Sequence, residues 1–193
     1  MIYIFKELNY IKKRQMLFSL ILASTLNGGI GVNGRIPWEI KDEIMLFKQI
    51  TTSVNSYIKK NAIIMGYDTW KSLPFKPLKN RINIILTSKK NVIKETDDIK
   101  TFDNFDKALE FCEDNIYIDK VFVIGGSSIY NLCLENTKYF NQIDKIHLSV
   151  IYQKYNCDTF INLKQILKLH KHYDINDVKF YKEFINLTYY LRN

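Results

Sequence analysis

Two acids stand side by side in "PWEIKDEIMLF", residues 37 to 47. A carboxyl group can hold or pass a proton, and an apolar cleft lifts its pKa toward neutrality by penalising the charged form. Which of the two acids could do so depends on the helix that carries them. Pro37 and Trp38 close a loop, and from Glu39 onward Ile40, Ile44, Phe47 and Ile50 recur at helical spacing. At about 100° per residue, Glu43 falls between Phe47 and Ile50 on that stripe, whereas Asp42 falls beside Gln49 on the opposite face. Glu43 is therefore the inward acid. Read from the helix alone, it is a carboxylate at the margin of the stripe that reaches water, because unpaired buried acids are costly.

Other reactive side chains are sparse. Cys112, Cys133 and Cys157 make an odd number with no CxxC pair, and no Cys/His cluster has metal-ligand spacing. They read as reduced thiols, with no metal site expected. A net charge of +8 favours anionic partners. The lysines are spread along the chain rather than gathered in a tract, so nucleic acid is not the expected partner. Lys12, Lys13 and Arg14 followed by "MLFSLILA" imitate a signal peptide. The apolar run is short, however, and "STLNGGIG" reads better as a strand leaving into a glycine-rich loop than as a cleavage site. Glu7 fits a mitochondrial transit peptide poorly. The chain is expected to be cytoplasmic, with no membrane association.

The elements that must position Glu43 can be read from the apolar runs "LFSLILA" (17 to 23), "AIIMG" (62 to 66), "INIILT" (82 to 87), "KVFVIGG" (120 to 126) and "IHLSVI" (146 to 151). Short runs rich in Ile and Val predict strands buried on both faces. Helical patterns over 39 to 51, 103 to 113 and 127 to 135 lie between them, the second with Asp103 as its expected N-cap. Alternating strands and helices imply an α/β fold with a mostly parallel central sheet. The tail "VKFYKEFINLTYYLRN" predicts an antiparallel hairpin around "KEFIN" on a sheet edge. With 193 residues, 47% of them hydrophobic, and no linker or repeat, one domain is expected over 16 to 193 behind an extension of residues 1 to 15.

Four segments occur in order: "ILASTLNGGIGVNGRIPWEIKDEIMLFKQIT" (21 to 51), "AIIMGYDTWKSLPFKPLKNRINIILTS" (62 to 88), "VFVIGGSSIY" (121 to 130) and "IHLSVIYQKYNCDTF" (146 to 160). Together the chain resembles dihydrofolate reductases from about Met16 to its end. The resemblance implies the single-domain fold of that family and reduction of 7,8-dihydrofolate to tetrahydrofolate by NADPH. Hydride would go to C6 of the pterin and a proton to N5, supplying one-carbon metabolism. It also implies antifolate inhibitors as ligands, and a monomer unless the chain is part of a fusion with thymidylate synthase.

Residue by residue, the resemblance makes Glu43 the active-site carboxylate, Ser149 the hydroxyl that bonds it, and Trp38 the indole that helps hold a water nearby. Leu22, Ala23, Ile36, Ile44, Phe47, Leu73, Leu78 and Ile124 would wall the substrate cleft, with Tyr130 beside them. Arg81, closing "PLKNR", would take the α-carboxylate of the substrate's glutamate, a group that a guanidinium can bind bidentately. In "VIGGSSIY", two glycines after an apolar strand let backbone approach a pyrophosphate at a helix start. Gly125 and Gly126, joined by a cis bond in the family, would serve there with Ser127, Ser128 and Ile129. Gly66 and Thr69 would lie at the phosphates, with Asp68 adjoining, and Leu86, Thr87 and Ser88 at the adenosine ribose. Ile30, Gly31 and Gly34 would belong to a mobile loop over the nicotinamide, beside Ala23.

The chain departs from the family at Tyr67, where a lysine or arginine commonly grips the 2′-phosphate. Asp68 adds the wrong sign of charge, and Lys89 is the expected replacement cation, with Lys90 solvated. Two alternatives share parts of the pattern. One is an NADPH-dependent pyrimidine reductase of the riboflavin pathway; the other is a non-catalytic folate or nucleic-acid binder. Glu43, Phe47 and Arg81 together fit a pterin with a glutamate tail better than a ribosylamino-pyrimidine phosphate.

Overall fold

The computed structural model describes residues 16–89, 91–162 and 171–192. The expected extension and Lys90 lie outside these residues. In chain order the elements are β1 (Phe18–Thr25), β2 (Gly29–Gly31), α1 (Lys41–Thr52), β3 (Lys60–Gly66), α2 (Tyr67–Ser72), β4 (Arg81–Leu86) and β5 (Ile99–Phe102). They continue with α3 (Phe105–Asp114), β6 (Ile118–Val123), α4 (Ser127–Glu135), α5 (Thr137–Phe140), β7 (Ile143–Ile151), β8 (Thr159–Phe160), β9 (Tyr173–Phe180) and β10 (Phe184–Leu191).

Eight strands form one sheet in the order β5-β4-β3-β6-β1-β7-β10-β9. Neighbours from β5 to β7 are parallel. β10 joins β7, and β9 joins β10, antiparallel, so the expected edge hairpin is present. Side chains alternate across the sheet. Leu20, Ile64, Ile84, Val123 and Leu148 pack with Ala108 and Leu109 of α3 and with Ile129 and Leu134 of α4. Ile21, Ile63, Met65, Ile85 and Phe122 pack with Phe47 and Ile50 of α1 and Trp70 of α2. Ile63, Ile64, Ile84 and Ile85 are each 0% exposed, and burial of each stabilises the fold by about 2 kcal/mol.

Several local expectations are corrected. α3 is capped by Asn104, whose side chain accepts from the Lys107 amide at 2.9 Å. Asp103 instead takes the Lys107 ammonium at 2.8 Å. The turn of the edge hairpin is Tyr181 to Glu183, and the "FIN" of "KEFIN" already belongs to β10. Ile44 is 54% exposed, while Leu46 and Thr51 are the buried residues of α1. The helix docks through Leu46 and Ile50, and Ile44 is about 160° around the axis from Leu46.

Candidate active site

Ser149 of β7 lies opposite Ala23 of β1 on one side and Asn186 of β10 on the other. The Asn186 amide donates to the Ser149 hydroxyl oxygen at 3.2 Å. Above this seam α1 brings in Glu43, hydrogen-bonded to Ser149, while Asp42 is exposed. Burial raises the Glu43 carboxyl from 4.5 to about 7, and the Ser149 hydrogen bond opposes that rise without cancelling it. Trp38 packs its ring on Tyr155 at 5.6 Å and carries a buried Nε1 without a protein acceptor. Such a donor is costly unless water or a ligand meets it.

Arg81 opens β4 and is 4% exposed. Its Nε donates to the Lys79 carbonyl at 3.0 Å, its Nη1 donates to the Thr51 hydroxyl at 2.8 Å, and its guanidinium lies 5.9 Å from the Phe47 ring centre. Burial lowers its pKa from the usual value. Among the described residues no carboxylate pairs with it. A desolvated cation without a counter-ion is a site for an anion. Glu43 and Thr51 are eight residues apart on α1, or about 12 Å along its axis. The acid and the cation therefore bracket the length of an elongated ligand.

Phe47, Leu73, Leu78 and Ile124 are half-buried between these ends, against Ile21 and Ile63. Ala23 packs beside Trp38 and Leu46, and Ile36 is exposed, as is Ile44. The Leu22 side chain turns to the opposite face of the sheet, among Leu20 and Val123, because adjacent strand residues alternate. It is not part of the wall. Tyr130 is also committed elsewhere, for its hydroxyl donates to the Ile21 carbonyl at 2.7 Å. Burial and the Glu43 charge raise the Tyr130 phenol far above its ordinary range, so it stays a neutral donor.

The second half of the site is backbone. Gly66 ends β3 and Gly125 lies two residues beyond β6, the Gly66 amide donating to the Gly125 carbonyl at 2.8 Å, and Gly125–Gly126 is cis. Gly125 has φ 111°, and a Cβ there would sit 3.0 Å from the Tyr130 ring. A Cβ on Gly126 would come within 3.2 Å of the Thr69 hydroxyl. The amides of Ile129 and Tyr130 turn back to the Gly126 carbonyl, and those of Ser127 and Ser128 begin α4 without helical acceptors. This narrow cradle fits a pyrophosphate approached by backbone. Ile129 is buried beneath it, 3.4 Å from a Cβ placed on Gly66. Leu86 and Thr87 are half-buried, and Ser88 and Lys89 are exposed. Tyr67 is half-buried against the Trp70 cluster, with the exposed Asp68 beside it.

The glycine-rich loop is more tethered than its sequence implies. β2 pairs with β8, the Asp158 amide donates to the Gly31 carbonyl at 3.0 Å, and the Asn33 amide donates to the Asp158 carboxylate at 2.7 Å. Ile30 packs partly buried on the core. Asn33 and Gly34 both have positive φ, 50° and 71°, and form a tight hairpin between Val32 and Arg35. That Asn-Gly pair was a readable signal for the turn. Thr51, Asn186 and Asp158 had no comparable signal, since each acts on a residue distant in sequence.

The dihydrofolate reductase family model matches residues 17–188. The chain is 38% identical over 150 residues to a dihydrofolate reductase of Heliothis virescens, covering 76% of this chain and 79% of that protein. It is 33% identical over 180 residues to the enzyme of Pneumocystis carinii, covering 84% and 85%. It is also 37% identical over 153 residues to a bifunctional dihydrofolate reductase-thymidylate synthase of Arabidopsis thaliana, covering 76% of this chain and 29% of that protein.

Proposed function

The chain belongs to the dihydrofolate reductase family, and on that premise we propose that it reduces 7,8-dihydrofolate to 5,6,7,8-tetrahydrofolate with NADPH, hydride passing to C6 and a proton to N5. One observation carries the reading: α1 bears a carboxyl raised to about 7 at Glu43 and, eight residues on, the hydroxyl of Thr51 that holds the buried, unpaired guanidinium of Arg81. A ligand with a ring that needs a proton and a tail that ends in carboxylate satisfies both ends.

When bound, NADPH supplies the hydride. Glu43 binds the 2-amino and N3 groups of the pterin and, half-protonated near neutral pH, keeps a proton available to N5. Ser149, itself fixed by Asn186, orients that carboxyl. Trp38 turns its free Nε1 toward an ordered water beside the ring. Phe47, Leu73, Leu78, Ile124, Ile36 and Ile44 hold the substrate's rings and exclude solvent, which strengthens each polar contact. Arg81 takes the α-carboxylate. The glycines of the cradle hold the pyrophosphate with the first amides of α4, and the tethered loop over Ile30 and Gly31 covers the nicotinamide.

We place the enzyme in the cytoplasm, as a monomer or as the reductase part of a thymidylate synthase fusion. Three free cysteines accord with a reducing compartment, and no helix among the described residues is long and apolar enough to cross a membrane. The test is dihydrofolate-dependent oxidation of NADPH. Turnover by the wild type that falls sharply in Glu43→Gln supports the reading, and no dihydrofolate-dependent oxidation by the wild type refutes it.

A further inference from the structure

β3 and β4 are rich in isoleucine and buried on both faces, yet each carries one asparagine, Asn61 and Asn83, that is 0% exposed. Asparagine is mostly a surface residue, and a buried carboxamide persists where its hydrogen bonds are met. Both stand beside Arg81 on the sheet face that α1 covers. Asn83 follows two residues later in β4, and Asn61 lies directly opposite Arg81 in β3. The Asn83 side chain ties the turn that delivers Arg81. Its carbonyl oxygen accepts from the Leu78 amide at 2.9 Å, and its NH2 group donates to the carbonyls of Leu78 and Arg81, each at 3.0 Å, and of Asp98 at 3.3 Å. Asn80 within that turn has φ 61°, a left-handed conformation less favourable than the ordinary regions, so the turn needs such a tie.

Asn61 secures the other half of the grip. It donates to the Thr51 and Ser53 carbonyls at 3.0 and 2.9 Å and accepts from the Lys120 amide at 3.2 Å. The last turn of α1 is thereby fixed where the Thr51 hydroxyl meets the guanidinium. We propose that Asn83 and Asn61 are positioning residues for the substrate's α-carboxylate: neither is exposed to the cleft, and together they set where the Arg81 fork points. A guanidinium and a carboxylate joined by two parallel hydrogen bonds have a fixed geometry, and a shift of about 1 Å in the turn forfeits one of the two. Leu78, on the wall of the cleft, hangs from the same carboxamide by both its amide and its carbonyl, so the apolar contact and the charged one move as a unit. The inference rests on the reading of Arg81 as the carboxylate clamp.

Two measurements test it: steady-state kinetics with dihydrofolate, and calorimetric titration of the cofactor-free enzyme with 7,8-dihydrobiopterin, which has the pterin but neither the benzoyl group nor the glutamate. Asn83→Ala should raise the KM for dihydrofolate about tenfold, the equivalent of one charge-assisted hydrogen bond, with kcat within about twofold of wild type. Dihydrobiopterin should bind as before. In an Arg81→Leu background the same substitution should raise the KM by no more than about threefold, because the group it acts through is gone. Asn61→Ala, on the other strand, should give the same split at about threefold, and it decides the matter where Asn83→Ala does not fold. Loss of dihydrobiopterin binding in step with dihydrofolate, or an Asn83→Ala effect as large without Arg81 as with it, shows a merely structural role and overturns the proposal. An Arg81→Leu variant with the wild-type KM for dihydrofolate removes the clamp reading itself.

Discussion

The two ends of the site are built differently. At the acid end, Glu43, Ser149 and Asn186 form a hydrogen-bonded chain across α1, β7 and β10, and Arg81 is buried against Thr51. At the end proposed to take the cofactor, Asp68 and Lys71 pair in the open and Lys71 and Lys89 both lie against the Tyr67 ring. Inside, a particular group is held in a particular place and an unmet charge is costly, so a substitution leaves a partner stranded. Outside, solvent screens the charges and long side chains can reach a common point from several positions. An exposed end can therefore tolerate the exchange of one charged group for another, where the buried end cannot.

Glu43→Gln should give the largest effect. Removing the ionisable group at neutral pH should lower the hydride-transfer rate by about 100-fold or more, and wild-type turnover should fall as pH rises through about 7. The same group makes a second, independent claim. Its folded pKa is raised, so its stabilising contribution is complete below the unfolded value of 4.5 and is lost as pH rises through about 7. Urea unfolding should thus find Glu43→Gln relatively more stable at pH 8 than at pH 4, by up to about 3 kcal/mol. Equal effects of Asp42→Asn on rate would break the distinction between inward and outward acids.

Arg81→Leu comes next. Dihydrofolate binding should weaken by about 2 to 5 kcal/mol, while pterins without the glutamate tail bind as before. The ligand-free protein should melt no lower, since an unpaired buried charge is replaced by an apolar group. Thr51→Val should cost about 1 kcal/mol in dihydrofolate affinity, for loss of one hydrogen bond to the guanidinium. The smallest effect belongs to the exposed end: Tyr67→Arg should sharpen discrimination between NADPH and NADH only a few-fold in steady-state kinetics, because Lys89 remains. A hundredfold change there would mean that the two ends do not differ in kind.

The Ile- and Val-rich runs disclosed the central strands because strands buried on both faces leave no polar alternation to confuse the pattern. Helical phase placed Glu43 inward, and it misplaced Ile44, because the helix docks through Leu46 and Ile50 and Ile44 lies about 160° around the axis from Leu46. β5 escaped notice, since "IKTF" is half-buried throughout and gives no strong alternation. Arg81 looked like an ordinary solvated arginine outside its "PLKNR" setting. Its burial depends on Thr51, thirty residues earlier, and the anchoring of Ser149 depends on Asn186, thirty-seven residues later. Contacts of that kind arise from which strands become neighbours, and nothing local encodes them. The capping error was of another sort: Asp103 and Asn104 both suit a cap, and adjacent candidates differ only in backbone geometry.

The position of β1 in the sheet also bears on how the enzyme comes into being. It is among the first described segments to leave the ribosome, yet its partners are β6 and β7, whose first paired residues follow about a hundred residues later. β10, which brings Asn186 to Ser149, is made later still. A nascent chain stalled before β10 would carry Glu43 on α1 without the finished seam beneath it, and would leave the edge of β7 that β10 covers open to chaperones or to other chains. Ribosome-bound intermediates of increasing length should accordingly gain antifolate affinity abruptly once β10 has cleared the exit tunnel, rather than in proportion to the residues made.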